Sequence, residues 1–181
     1  MSVLKTLPDE SVDLVVTSPY EYLYQTHPRY SGMSELDLAY IAGLVDGEAY
    51  IGIKKTHRKD CVSPIYHERI QIRMINENAI HFIQEVLGGN YYQELSPYSK
   101  SGRPLYCYQA TDKLACEILL KITPYLKVKK ESAKIVLQLR DSKNDPQARR
   151  RGGPTRRVMD STILETREYL YKRAKEVNHI D

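Results

Sequence analysis

The stretch from residue 34 to residue 49 constrains what this chain can fold into more than any other. Ala39, Gly43 and Gly47 recur at four-residue spacing, and on a helix that spacing stacks them into one stripe without bulky side chains. Such a stripe lets a second helix approach closer than the roughly 8 to 10 Å usual for packed helix pairs. Ser34 is placed to cap the helix, and Glu35 and Asp37 put negative charge in its first turn, where the macrodipole favours it. Asp46 and Glu48 stand at the opposite end, near Gly47, where the carbonyl partial charges disfavour acids by up to about 1 kcal/mol. A compensating cation is therefore expected there. A hard divalent ion such as Mg2+ would serve, because it takes one or two carboxylates with waters and phosphate oxygens rather than a full protein cage. For an isolated Asp-Gly-Glu the plain alternative is a solvated helix end, with Gly43 an interruption and Gly47 a C-cap.

Beyond this helix the periodicity changes. Tyr50, Gly52, Lys54 and Thr56 alternate with Ile51 and Ile53, and Arg69, Gln71 and Arg73 alternate with Ile70, Ile72 and Met74. Two half-buried strands thus share a polar face. Residues 79–87 carry Ile80, Ile83, Val86 and Leu87 at helical core spacing, stopped by Gly88-Gly89. Strands near residues 91–95 and 105–110 flank a turn-rich segment and read as a hairpin. Helices are expected over residues 112–122, 128–140 and 161–177, with a loop by composition over 141–157. This order predicts an α+β domain with an antiparallel sheet. Strand parity puts Tyr50, Lys54, Arg69, Gln71, Arg73, Gln93, Tyr106 and Tyr108 on its open face. Residues 1–33 lack either period after a strand-like run at 12–17 and are read as an appendage to a domain spanning 34–181.

Composition narrows the function classes. With 181 residues, 41% of them hydrophobic, the chain can bury one core and is too short for two large domains. A formal charge of +4 says little about partners, but its clustering says more. Arg149, Arg150, Arg151, Arg156 and Arg157 fall within nine positions, and Lys127, Lys129 and Lys130 form a second knot, which favours a surface that neutralises phosphates. Fifteen Tyr with one Phe and no Trp suit a wet, polar interface, since each ring packs its face while its hydroxyl meets water or phosphate. Cys61, Cys107 and Cys116 form no CxxC and have no His at zinc-finger spacing, so neither a disulfide framework nor structural zinc is expected. No apolar run approaches the roughly 20 residues of a bilayer span, and the start does not read as a signal peptide. The expectation is a soluble protein of the cytoplasm, or of an organellar matrix if organelle-encoded, without a membrane or a small-molecule cofactor.

Residues 41–49, Ile-Ala-Gly-Leu-Val-Asp-Gly-Glu-Ala, resemble the LAGLIDADG motif of homing endonucleases in its form GLIDGEG, followed by the similarly typical Tyr50-Ile51-Gly52-Ile53. The departure is Ala49, where Gly is usual. Residues 122–133, Ile-Thr-Pro-Tyr-Leu-Lys-Val-Lys-Lys-Glu-Ser-Ala, resemble the family's L-x-P-Y-L-x-I-K-x-x-Q-A segment. With Leu87-Gly88-Gly89, the resemblance covers roughly residues 36–139. It implies an αββαββα fold whose antiparallel sheet lies over the DNA major groove, and two motif helices packed at the centre of the molecule. One motif is visible here, so the resemblance implies a homodimer through Ala39, Gly43 and Gly47 and a roughly palindromic double-stranded target. It also implies that Glu48 and the carbonyl of Gly47 hold the metal, Mg2+ or another hard divalent cation. Asp46 matches the first acid of the motif, which shapes the helix end and counts with Glu48 in the catalytic set. Lys129 matches a lysine beside the attacked phosphate. The reaction implied is metal-assisted phosphodiester hydrolysis, with the eight strand residues named above facing DNA. Met74 stands where the family often has Gln or another polar residue that organises water, and Asn76 is the nearby substitute. A second reading is a non-cleaving DNA- or RNA-binding protein of this fold, an intron maturase or transcription regulator; Glu48 and Lys129 argue for cleavage.

Residues 4–20 resemble a different family, the segment before and through the TSPPY motif of amino-group DNA methyltransferases, with one Pro missing and the match stopping at Tyr20. No Gly-rich cofactor turn occurs elsewhere, so methyl transfer is not expected. The resemblance implies a reading frame continuing from an interrupted methyltransferase gene, whose intact copy is the expected target. An intein is not expected, since the chain lacks a nucleophilic first residue, a terminal His-Asn and room for a splicing domain.

The arginines between 149 and 157 suit phosphates better than bases. Replacing all five should weaken DNA binding and flatten its salt dependence while leaving sequence preference unchanged; an altered base preference in a binding selection would contradict this.

Overall fold

The computed structural model describes residues 33–59, 61–95, 104–145 and 159–180. The methyltransferase-like segment and Arg149, Arg150, Arg151, Arg156 and Arg157 lie outside the described residues. Ser34 opens α1 (Glu35–Glu48) as expected. Its hydroxyl accepts the Asp37 N–H at 3.1 Å, and the Asp37 carboxylate accepts the Ser34 N–H at 3.3 Å, a reciprocal capping box. The helix includes Gly47 and runs into β1 (Ala49–Thr56) without a loop, so Gly47 is not the C-cap. Ala49 takes that position with φ −88° and ψ 148°, ordinary extended backbone that explains why Ala replaces Gly there.

The chain continues through β2 (Ile65–Met74), α2 (Glu77–Leu87), β3 (Asn90–Leu95), β4 (Pro104–Thr111), α3 (Asp112–Ile122), α4 (Lys130–Asn144) and α5 (Ser161–Ile180). The four strands form an antiparallel sheet in the order β1-β2-β4-β3, giving the expected α+β architecture. One face of the sheet carries Ile51, Ile53, Ile70, Ile72, Tyr108 and Ala110 into a single core with Ile41 and Val45 of α1, Ile80 and Ile83 of α2, and Ile118 and Val136 of α3 and α4. Between α2 and β3 the backbone turns through Gly88 and Gly89 at φ 71° and 103°, and a Cβ on Gly89 would lie 2.9 Å from the Tyr108 ring. The glycine stop is therefore required twice over, by conformation and by contact. Cys61, Cys107 and Cys116 are free thiols, and no helix of the described residues is long and apolar enough to cross a membrane.

Strand parity holds in β1 and β2 and fails in β3 and β4. Gln71 pairs with Tyr50 on one side and Gln109 on the other, and Gln109 pairs with Asn90. The open row therefore runs through Gln109 and Cys107 of β4 and Tyr92 and Glu94 of β3. Tyr106 and Tyr108 instead pair with Met74 and Ile72, and Gln93 with Tyr106, on the core side. Tyr108 is fully buried, and Tyr106 stacks on Tyr91 at 6.3 Å. Assigning Gln93, Tyr106 and Tyr108 to the open face is thus corrected. The physical reason is that a tyrosine ring suits either face, so Leu-Tyr-Cys-Tyr-Gln carries no polar alternation that fixes its parity.

A buried charge ties the layers together. Glu68 projects from β2 with no exposure and accepts from Arg140 Nη2 at 2.9 Å and Lys143 Nζ at 2.6 Å, both on α4. Lys143 also reaches Asp112 at 3.5 Å, and that carboxylate meets His67 Nδ1 at 3.0 Å. Asp112 opens α3 with φ 54°, a left-handed conformation unusual for a residue other than glycine. Removing one partner of a buried ion pair costs about 3 to 5 kcal/mol, because the remaining charges stay desolvated. Glu68→Ala should lower unfolding free energy in urea by that order; a loss under about 1 kcal/mol would mean that Arg140 and Lys143 find water instead.

Candidate active site at the end of the first helix

α1 is apolar on two sides. Ile41, Ala42 and Val45 are buried in the core, while Leu36 is 82% and Tyr40 52% exposed beside Ala39, Gly43 and Gly47, which are exposed too. Among the described residues a Cβ built on Gly43 or Gly47 meets nothing within 4 Å. The small stripe is therefore real and lies open along the helix, whereas a helix apolar all round is ordinarily covered on both sides.

At its C-terminal end the helix is clasped by the segment leading into α4. Lys129 Nζ donates to the carbonyls of Asp46 at 2.7 Å and Val45 at 3.3 Å. In return the Asp46 carboxylate accepts the backbone N–H of Lys127 at 2.6 Å and of Lys129 at 2.9 Å. The cation expected at this helix end is thus Lys129 itself, and the dipole argument does not by itself require a metal. Burial works against ionisation of Asp46, but the backbone hydrogen bonds from Lys127, Lys129 and Val128 and the nearby Lys129 ammonium outweigh it and hold the carboxyl below its ordinary value. Both oxygens of Asp46 are thus engaged in holding the segment that leads into α4. Lys129, the N-cap of α4, has no side-chain cap of its own, and Asp46 secures that backbone from across the fold.

Glu48 remains exposed, one residue past the clasped pair. It lines a cavity of about 490 Å³ together with Gly47, Ala49, Tyr50 and Lys129, and with Lys175, Asn178 and His179 of α5. The structure thus brings Glu48, Gly47, Lys129 and Tyr50 to one cavity. The contribution of α5 is unexpected: the helix runs three residues further than its apolar spacing indicates, to Ile180, and two of the three cavity residues lie in that extension. Tyr50, whose hydroxyl is pushed up by burial, folds back over Gly52, where an added Cβ would sit 2.5 Å from the tyrosine Cζ. Gly52 therefore lets the Tyr50 ring lie flat beside the cavity.

From the cavity the open sheet face extends outward. Lys54 is exposed on β1, and three side chains of β2 reach across the sheet, one to the adjacent β4 and two past it to β3. Arg69 Nη2 donates to Gln109 Oε1 at 3.0 Å, Gln71 Nε2 to the Tyr92 hydroxyl at 2.9 Å, and Arg73 Nη2 to Glu94 Oε1 at 3.4 Å. Tyr92, Glu94 and Gln109 are the face residues that the sequence reading missed, each one position from a residue chosen on the wrong parity. Met74 pairs with Tyr106 on the core side. Asn76, its suggested substitute, caps α2 by accepting the Ala79 N–H at 3.1 Å, so its side-chain carbonyl is already used.

Among the described residues no group of three His, Cys, Asp or Glu side chains gathers to hold a metal ion. Glu48 is the acid lining the cavity, beside the Gly47 backbone. One carboxylate with one carbonyl fits a hard divalent ion that keeps waters and phosphate oxygens as its other ligands, and does not fit a closed structural site.

The folded-state carboxyl of Asp46 lies below its model-peptide value of 3.8. Its stabilising contribution is therefore present above that value and is lost as pH falls through the lower, folded-state one. Asp46→Ala should be less stable than the parent protein at neutral pH, with the deficit shrinking as pH drops below 3.8 in urea titrations. A deficit that stays constant into strong acid would show that the charge of Asp46 is not what matters.

No family model matches the sequence, and no curated protein matches it. Solved structures do. The chain is similar to the homing endonuclease I-CvuI in complex with the I-CreI target in the presence of 2 mM Mg, with a TM-score of 0.62 and 20% identity over 79% of this chain and 82% of that one. A second I-CvuI structure, with its own target and 2 mM Ca, gives a TM-score of 0.61 at 19% identity, covering 78% of this chain and 82% of that one. The archaeal intron-encoded homing endonuclease I-Vdi141I complexed with DNA gives 0.58 at 15% identity, covering 81% of this chain and 85% of that one. Among the described residues, five helices around a four-stranded antiparallel sheet, with α1 ending at Glu48 beside the open face, make this the LAGLIDADG homing endonuclease fold.

Proposed function

We propose that this protein is a site-specific endonuclease that cuts double-stranded DNA as a homodimer, with Glu48 of each subunit in the active site. The observation that carries this reading is the placement of Glu48. It ends a helix whose small-residue stripe is uncovered by the described residues, beside Lys129 and at the margin of an open polar sheet. Two copies packed along Ala39, Gly43 and Gly47 bring their Glu48 carboxylates together across a two-fold axis, and the target is then roughly palindromic.

A divalent cation, Mg2+ by the chemistry of the donors, would be held by the Glu48 carboxylate and the Gly47 carbonyl. When bound, it polarises the phosphodiester and lowers the pKa of water. Lys129 has three N–H donors, of which two are directed to the α1 carbonyls. The third is available to a phosphate oxygen, where it stabilises charge developing during attack. Tyr50, Lys54, Arg69, Gln71, Arg73, Tyr92, Glu94 and Gln109 form the surface offered to the major groove. Arg matches guanine, Gln adenine and Glu the cytosine amino group, so the face holds readers for three bases. Arg149, Arg150, Arg151, Arg156 and Arg157 add phosphate contacts. The methyltransferase-like residues 4–20 support an intact methyltransferase gene as the target.

Digestion of DNA carrying that intact coding sequence tests the reading. Cutting should require Mg2+ and stop with a chelator, and Glu48→Gln should slow it by about 100-fold or more, in line with loss of a group that stabilises transition-state charge. Gly43→Leu should fold at least as well as the parent protein, since no neighbour among the described residues obstructs it, yet sediment as a monomer and fail to cut. Tight RNA binding with no DNA cut under any condition would instead support a maturase of the same fold.

A further inference from the structure

The last two turns of α5 contribute Lys175, Asn178 and His179 to the lining of the Glu48 cavity. The helix is fastened there. Asn178 Nδ2 donates to the carbonyl of Ile51 at 2.9 Å, on the edge strand β1, and to Ala174 of its own helix at 2.6 Å. Nearer its start, Glu168 accepts from Lys55 Nζ of β1 at 2.7 Å and from the Tyr66 hydroxyl. Two tethers along β1 thus fix the orientation of α5 relative to the strand that begins beside Glu48.

Lys175 and His179 are four residues apart, so they share a helix face, and both line the cavity. The Lys175 ammonium lies 4.9 Å from the centroid of the Tyr171 ring and within electrostatic reach of Tyr50. Its role differs from that of Lys129, two of whose donors are committed to the α1 carbonyls. Resting on an aromatic face and one hydroxyl, Lys175 keeps N–H donors for an incoming anion. The cavity therefore gathers one carboxylate and two lysines, an arrangement that matches a phosphodiester approaching a carboxylate-held cation.

We infer that Lys175 is a phosphate-contacting residue of the Glu48 site, so that the C-terminal helix, with Lys129, completes the pocket for the DNA backbone. This rests on the endonuclease reading and goes beyond it by giving α5 a direct contact with substrate.

The test is metal-free binding of a random-sequence 30-base-pair duplex, followed by fluorescence anisotropy across salt concentrations. Each lost phosphate contact removes about 0.9 from the slope of log affinity against log salt. Lys175→Ala should flatten the slope by about that amount per subunit, and Lys175→Arg should restore it. Lys172→Ala, an exposed lysine on the same helix outside the cavity lining, should leave the slope unchanged. Glu48→Gln should tighten metal-free binding by removing a repulsive charge, and its effect should be non-additive with that of Lys175→Ala, since both groups face one phosphate. An unchanged slope in Lys175→Ala, or strictly additive effects with Glu48→Gln, would overturn the assignment and leave the endonuclease reading standing. Absence of salt-dependent duplex binding by the parent protein would overturn both.

Discussion

The clasp between Asp46 and Lys129 is the constraint from which the rest of the site follows. Each residue serves the other's backbone: the carboxylate takes N–H groups ahead of α4, and the ammonium takes carbonyls at the end of α1. Every one of these bonds involves an ionised partner, the stronger class of hydrogen bond. Because the exchange is mutual, the end of α1 cannot shift without dragging the start of α4 with it. Glu48 is consequently presented at a fixed height beside Lys129, and its own carboxylate stays uncommitted to the fold.

The sheet repeats this division between groups that hold and groups that remain available. On the core side, Glu68 joins β2 to α4 through two cations. On the open side, Arg69 and Gln71 are each steadied by one bond, to Gln109 and Tyr92, and Arg73 by two contacts with Glu94. Such contacts orient an arginine or glutamine without exhausting its donors, so the face is pre-arranged while retaining hydrogen-bonding capacity toward a ligand. Pre-ordering of this kind lowers the entropy lost when a surface binds.

What could be read from the sequence was what local chemistry encodes. The Ser34 cap, the α1 stripe, the alternation in β1 and β2 and the Gly88-Gly89 stop are all written within a few residues of where they act. The parity of β4 was not legible, because Tyr106 and Tyr108 carry no preference for either face and the deciding partner, Ile70 opposite Ala110, sits in another strand. Nor was the clasp: Asp46 and Lys129 are 83 positions apart, and no periodicity links them. The approach of α5 to Glu48 was hidden for the same reason, since a tether from Asn178 to Ile51 spans 127 positions.

The passage from α1 into β1 without an intervening loop has a consequence for how such a protein can diversify. In the proposed pair of chains, the two-fold axis lies along α1, and the surface that meets DNA begins at Tyr50. Nothing compliant separates them, so the distance between the two contacted halves of a duplex is a property of continuous backbone and not of side chains. Substitutions on the strands can then change which bases are preferred at each position, but the span between the half-sites works as a fixed ruler. New targets are reached by changing the letters under it, not its length.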